Sequence, residues 1–183
     1  LLAFIYILSR KSLYTLRYYW CILKENANDY SSEGKMSAVK VAINGFGRIG
    51  RSAFKIALER GDIEVVAVND LTDTKTLAYL LKHGSNYGTY DHEVGHDDIS
   101  VIVDGRLIRV LAEKDPADLP WGEMGVDVVI ESTGLFTDAE GAGKHVQAGA
   151  KRVVISGPTK SEGVDMIVLG ANDDKVEGST QVV

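Results

Sequence analysis

The sequence predicts an α/β domain with a doubly wound, mostly parallel sheet and an inserted antiparallel hairpin. Three observations carry this. An alternating apolar run, Val39-Lys40-Val41-Ala42-Ile43-Asn44, leads into Gly45-Phe46-Gly47-Arg48-Ile49-Gly50-Arg51 and then into an amphipathic helical pattern. A second apolar run, Ile63–Asn69, ends at Asp70, 20 residues after Gly50. Further on, Ile99–Val103 and Arg106–Val110 are joined by Asp104-Gly105, the dipeptide that most strongly signals a tight hairpin.

The order strand, glycine-rich turn, helix, strand, acidic residue is what a dinucleotide-binding turn requires. Gly45 lets the chain leave the strand sharply. Gly47 has no side chain to hold a pyrophosphate away from the backbone. Gly50 lets the helix pack closely. The pyrophosphate then meets the helix N-terminus, where unpaired N–H groups and the dipole favour negative charge. Arg48 and Ile49 sit where backbone and ligand meet. The Asp70 carboxylate can accept from both hydroxyls of an adenosine ribose, and its charge repels a 2′-phosphate, so NAD is expected over NADP. Arg51 reads equally well as a site residue or as a solvated helix residue.

The elements follow in order. A strand is expected over 38–43, a helix over 48–60 stopped by Gly61, and a strand over 63–69. A helix over 74–83 carries Leu77, Leu80 and Leu81 on one side and ends at Gly84; residues 85–94 read as loop. His92 and His96 lie four residues apart beside acidic residues, but Gly95 and the polar setting favour a solvated loop over a metal site. The hairpin follows, then a loop from Lys114 to Trp121 with a short helical turn. Val126–Glu131 is a buried-type strand that runs into Ser132-Thr133-Gly134 at a carboxyl end, where ligands collect in open α/β sheets. A helix over 138–148 starts at Asp138 and stops at Gly149. A strand over 151–155 ends at Ser156-Gly157-Pro158, a further strand covers 166–169, and a rising β pattern closes the chain at Thr180–Val183.

Composition sets outer bounds. The 183 residues are 45% hydrophobic and 25% charged, as in an ordinary soluble protein, and the net charge of −6 argues against a nucleic-acid partner. One cysteine, Cys21, excludes an internal disulfide framework and fits a reducing compartment. Residues 1–35 differ from the rest: they hold half of the aromatic residues but a single glycine. Their leading apolar run, Leu1–Leu8, is too short to span a bilayer, which takes about 20 residues. They read either as a membrane-surface anchor through Leu13, Leu16, Tyr18, Tyr19, Trp20 and Ile22, or as an upstream stretch outside the fold. The second is preferred, because Met36-Ser37-Ala38 leads straight into the first strand. The domain is therefore expected over 36–183, with no membrane partner.

Over 36–183 the residues resemble glyceraldehyde-3-phosphate dehydrogenase. The likeness lies in Lys40–Arg51, Asn69-Asp70, Leu119-Pro120-Trp121, Glu131-Ser132-Thr133-Gly134, Lys151–Pro158 and Gly170-Ala171-Asn172. The resemblance implies a Rossmann-type domain with NAD contacts at Asn44, Gly45, Phe46, Gly47, Arg48, Ile49, Gly50, Asn69 and Asp70. It also implies Lys114 near the adenine, Ser132, Thr133 and Gly134 along the groove, and Ser156 toward the nicotinamide. It further implies a cytoplasmic, homotetrameric glycolytic enzyme acting on glyceraldehyde 3-phosphate, NAD and inorganic phosphate. In that family a cysteine thiolate attacks the aldehyde, a histidine serves as base while hydride passes to NAD, and phosphate releases the acyl group.

The departures bear on catalysis. The Ser-x-x-Ser-Cys-Thr-Thr-Asn motif is absent, so the catalytic cysteine and histidine are expected beyond Val183 and no catalytic residue is assigned. Cys21 matches nothing. His83, His92, His96 and His145 match no family base, and surface or loop roles are expected for them. Tyr87-Gly88-Thr89-Tyr90 replaces a more familiar Gly-Arg-Phe loop, and Asn172-Asp173-Asp174 replaces a commoner Asn-His sequence. The alternatives are a stand-alone inactive NAD-binding module and the N-terminal half of an erythrose-4-phosphate dehydrogenase.

Overall fold

A computed structural model describes residues 38–84, 88–159, 161–168, 170–172 and 181–183. The expectations for residues 1–37, 85–87, 169, 173, 174 and 180 lie outside the described residues.

The strands are β1 (Val39–Asn44), β2 (Ile63–Asn69), β3 (His83–Gly84), β4 (Gly88–Thr89), β5 (Val94–His96), β6 (Ser100–Val103), β7 (Arg106–Leu111), β8 (Val128–Glu131) and β9 (Arg152–Ile155). The helices are α1 (Arg48–Leu58), α2 (Thr74–Lys82), α3 (Trp121–Met124) and α4 (Ala139–Gln147), with a 3₁₀ turn at Pro116–Asp118. Seven strands form one sheet in the order β5-β6-β7-β2-β1-β8-β9. From β7 to β9 every pairing is parallel; β6 and β5 add antiparallel at one edge. The doubly wound sheet with an inserted hairpin is thus present.

Alternation along β1 builds two cores. Val41 and Ile43 face one side with Phe46, Phe54, Leu77 and Leu81, while Ala42 faces the other with Ala67, Trp121, Val129, Ala142 and Val153. The small Ala42 and Ala67 leave room for the fully buried Trp121 ring. Asp73 caps α2 by accepting from Thr76 N, and Asp138 caps α4 by accepting from Gly141 N.

Three expectations need correction. Residues 88–94 are more than loop: Gly88–Thr89 (β4) pairs with β3, and β5, starting at Val94, extends the hairpin sheet. Residues 166–168 form no strand. Asn172 Oδ1 accepts from Val168 N at 2.6 Å and its Nδ2 donates to Met166 O at 2.9 Å, so a local turn takes the backbone groups that a ladder would use. The next strand position is filled instead by 181–183, where Val153 N donates to Gln181 O and Val183 N to Val153 O. His145, expected at the surface, is fully buried. The helix over 139–147 turns it against the end of β8, where a carboxylate and an indole partner it.

Candidate cofactor site

β2 lies beside β1 on one side and β8, which the chain reaches only after β7, lies on the other, so the winding reverses and a crevice opens at the carboxyl ends of β1 and β8. This is the switch point where open α/β sheets bind ligands. Its two walls touch. A Cβ added to Gly45, whose φ is +89°, would lie 2.6 Å from Thr133 N. Ser132 N donates to Asn44 O at 2.8 Å, and Ser132 Oγ donates to Gly45 O at 2.7 Å.

The glycines divide their tasks. A Cβ on Gly50 would lie 2.1 Å from Gly45 O, so Gly50 admits the turn itself against α1, a closer approach than the helix–strand packing expected from spacing. A Cβ on Gly47 would meet nothing within 4 Å. The first turn of α1 has no capping side chain, unlike those of α2 and α4, and no acidic residue. Open space above uncapped helical N–H groups fits a bound pyrophosphate. Arg48 is exposed and Ile49 half-buried beside that space.

Asp70 braces the turn from the side. Its Oδ2 accepts from Phe46 N at 2.8 Å and its Oδ1 from Thr72 N at 3.0 Å. Arg51 Nη1 donates to Phe46 O at 2.8 Å, which settles its position as a brace of the turn. Burial lowers the Arg51 pKa and the Asp70 charge opposes that shift. Each Asp70 oxygen keeps a second lone pair for a ribose hydroxyl.

Asn44 and Asn69 point elsewhere. Asn69 is held by Glu113, donating to its O and accepting from its N, both at 2.9 Å, and donates to Asn44 Oδ1 at 2.7 Å. Asn44 Nδ2 donates to Glu131 Oε2 at 2.5 Å. Glu131 Oε1 accepts from Thr133 N at 2.8 Å and from Thr133 Oγ1, and Oε2 also accepts from His145 Nε2 at 3.0 Å. Trp121 Nε1 donates to His145 Nδ1 at 2.9 Å. Glu131, His145 and Trp121 were missed in the sequence as site residues. Their one local signal is a carboxylate closing an otherwise apolar strand.

The other candidates lie at the rim. Gly134 and Lys114 are exposed, and half-buried Ser156 donates its N–H to Glu131 O at 2.9 Å. His92 Nδ1 pairs with Asp104 Oδ2 at 2.5 Å across the hairpin, and His96 is exposed in β5. Among the described residues no group of three His, Cys, Asp or Glu side chains is placed to hold a metal ion.

The fold and crevice define a dinucleotide-binding domain of the doubly wound class. Residues 39–139 match the family model described as glyceraldehyde 3-phosphate dehydrogenase, NAD binding domain. The chain belongs to that family. It is 58% identical to glyceraldehyde-3-phosphate dehydrogenase of Geobacillus stearothermophilus over 140 residues, covering 76% of this chain and 42% of that protein. It is 55% identical to the protein of that name from Streptomyces coelicolor over 140 residues, covering 76% of this chain and 41% of that protein. Against glyceraldehyde-3-phosphate dehydrogenase A of Escherichia coli the identity is 55% over 140 residues, with 76% and 42% covered. The chain thus spans less than half the length of these relatives.

Proposed function

We propose that the crevice binds NAD as the cofactor half of a phosphorylating glyceraldehyde-3-phosphate dehydrogenase. The observation that carries this is the open space over Gly47 at an uncapped helix N-terminus, with Asp70 beside it. The backbone N–H groups at Gly47, Arg48 and Ile49 hold the pyrophosphate, and Asp70 takes the adenosine ribose and excludes a 2′-phosphate. Thr133, Gly134 and Ser156 line the path toward the nicotinamide, and Lys114 flanks the adenine side. When bound, NAD supplies the hydride acceptor. The chain's own residues bind, orient and discriminate; the cysteine nucleophile and histidine base belong to the family's other half.

The whole protein is proposed to be a cytoplasmic homotetramer acting on glyceraldehyde 3-phosphate and phosphate. Among the described residues no helix is long and apolar enough to cross a membrane. Titration calorimetry of the chain with NAD and NADP tests the reading: saturable binding that prefers NAD supports it, and equal affinities or none refute it.

A further inference from the structure

We propose that His145 is a positioning residue for the cofactor crevice: it orients Glu131, the common anchor of the crevice's two walls. The inference rests on the crevice reading above.

The argument begins with hydrogen-bond polarity. An indole N–H only donates, so Trp121 at 2.9 Å forces His145 Nδ1 to accept. The imidazole proton then sits on Nε2 and is donated to Glu131 Oε2 at 3.0 Å. From the opposite end, the Glu113 backbone fixes the Asn69 amide, which fixes the Asn44 amide, which also donates to Oε2. Asn44 Nδ2 and His145 Nε2 lie 3.3 Å apart as two donors sharing one oxygen. The Thr133 N–H and hydroxyl fill Oε1. Four donors thus converge on the acceptor sites of one carboxylate, and neither end of the chain of bonds can reverse. Glu131 and His145 are fully buried, so a missing partner has no water to replace it.

The two groups that Glu131 holds are not arbitrary. Asn44 directly precedes Gly45, and Thr133 directly precedes Gly134. A change at His145 is therefore read at both walls, although His145 itself lies on α4 away from the glycine turn.

The test compares His145→Leu, His145→Gln and Glu131→Gln in the full chain. A glutamine at 145 restores the polarity, its Oε1 accepting from Trp121 and its Nε2 donating to Glu131; leucine does neither. A glutamine at 131 sets an amide N–H₂ against two donors on one side. The expected result is NAD affinity about tenfold weaker in His145→Leu and Glu131→Gln, and restored to within about threefold in His145→Gln. Circular dichroism checks that each variant is folded. A folded His145→Leu that binds NAD as tightly as the parent overturns the inference, as does an equal loss in His145→Gln and His145→Leu. If the parent itself takes up no NAD, the crevice reading falls and this inference with it. Nitrogen NMR of the histidine rings gives a readout independent of ligand and of variant folding: the proton of His145 on Nε2 is expected, and a proton on Nδ1 overturns the inference.

Discussion

Substitutions at the three turn glycines should separate fold from ligand. At Gly47 an added Cβ meets nothing within 4 Å, and the backbone there, at φ −73° and ψ −158°, is extended and open to any residue. Gly47→Val should therefore fold, at a cost of about 1 kcal/mol for a poorer helix cap. Its methyl groups occupy the space where a pyrophosphate approaches the first N–H groups of α1. Losing two charged hydrogen bonds at about 1.5 kcal/mol each predicts NAD binding weakened more than a hundredfold. Gly50→Ala is the opposite case. Its Cβ would lie 2.1 Å from the Gly45 carbonyl oxygen, a backbone atom that cannot swing away. The cost should be about 3 kcal/mol in stability, read as an earlier urea midpoint. Gly45→Ala should behave like Gly50→Ala, since its Cβ meets the Thr133 backbone and its φ is +89°. Urea titration and NAD calorimetry on the same samples decide. A folded Gly47→Val that keeps the parent affinity refutes the placement of the pyrophosphate.

Further expectations concern charge and burial. Asp70→Asn should lower the NAD-to-NADP affinity ratio about tenfold by removing the charge that opposes a 2′-phosphate; an unchanged ratio, measured by competition, removes Asp70 from that role. Trp121→Phe leaves the Nδ1 acceptor of buried His145 without a donor and should cost about 1–3 kcal/mol in urea unfolding, against no change if the bond is idle. Hydrogen bonding to Arg60 lowers the Asp62 pKa, so this pair contributes stability above the unfolded carboxylate value, and the contribution is lost as pH falls through the folded value. Asp62→Asn should flatten the acid limb of the stability profile, and an unaltered limb counts against it. Burial, with Glu59 and Asp104 nearby, pushes Tyr90 up to about 12, and its hydroxyl has no partner among the described residues. Its neutral form is favoured in the fold, so stability falls between about pH 10 and that value; Tyr90→Phe should flatten the alkaline limb and cost no stability at neutral pH.

What was legible in the sequence was what adjacent residues decide. The glycine turn, the helix cap Asp138, and the Asp104-Gly105 hairpin each depend on spacings of a few residues. Asp70 was legible because one strand–helix–strand unit fixes its distance from the turn. Pairing between distant strands was not. In the parallel register Asn44 lies beside both Asn69 and Glu131, which turns three strand-closing polar residues into one buried network. His145 joins it only because α4 lies over the end of β8, so its helical neighbours give no sign of a carboxylate partner. The segment at 166–168 is apolar and reads as strand, but the Asn172 side chain claims its backbone. Strand β5, Val94-Gly95-His96, has too little apolar pattern to stand out and forms because β6 offers an edge.

The most direct measurement is amide NMR of the labelled chain during titration with NAD. Binding at the crevice predicts saturable shifts concentrated at Phe46, Gly47, Arg48, Ile49, Asp70, Thr133 and Gly134, at lower concentrations of NAD than of NADP. Shifts confined to other surfaces, or none at saturating NAD, would contradict the account.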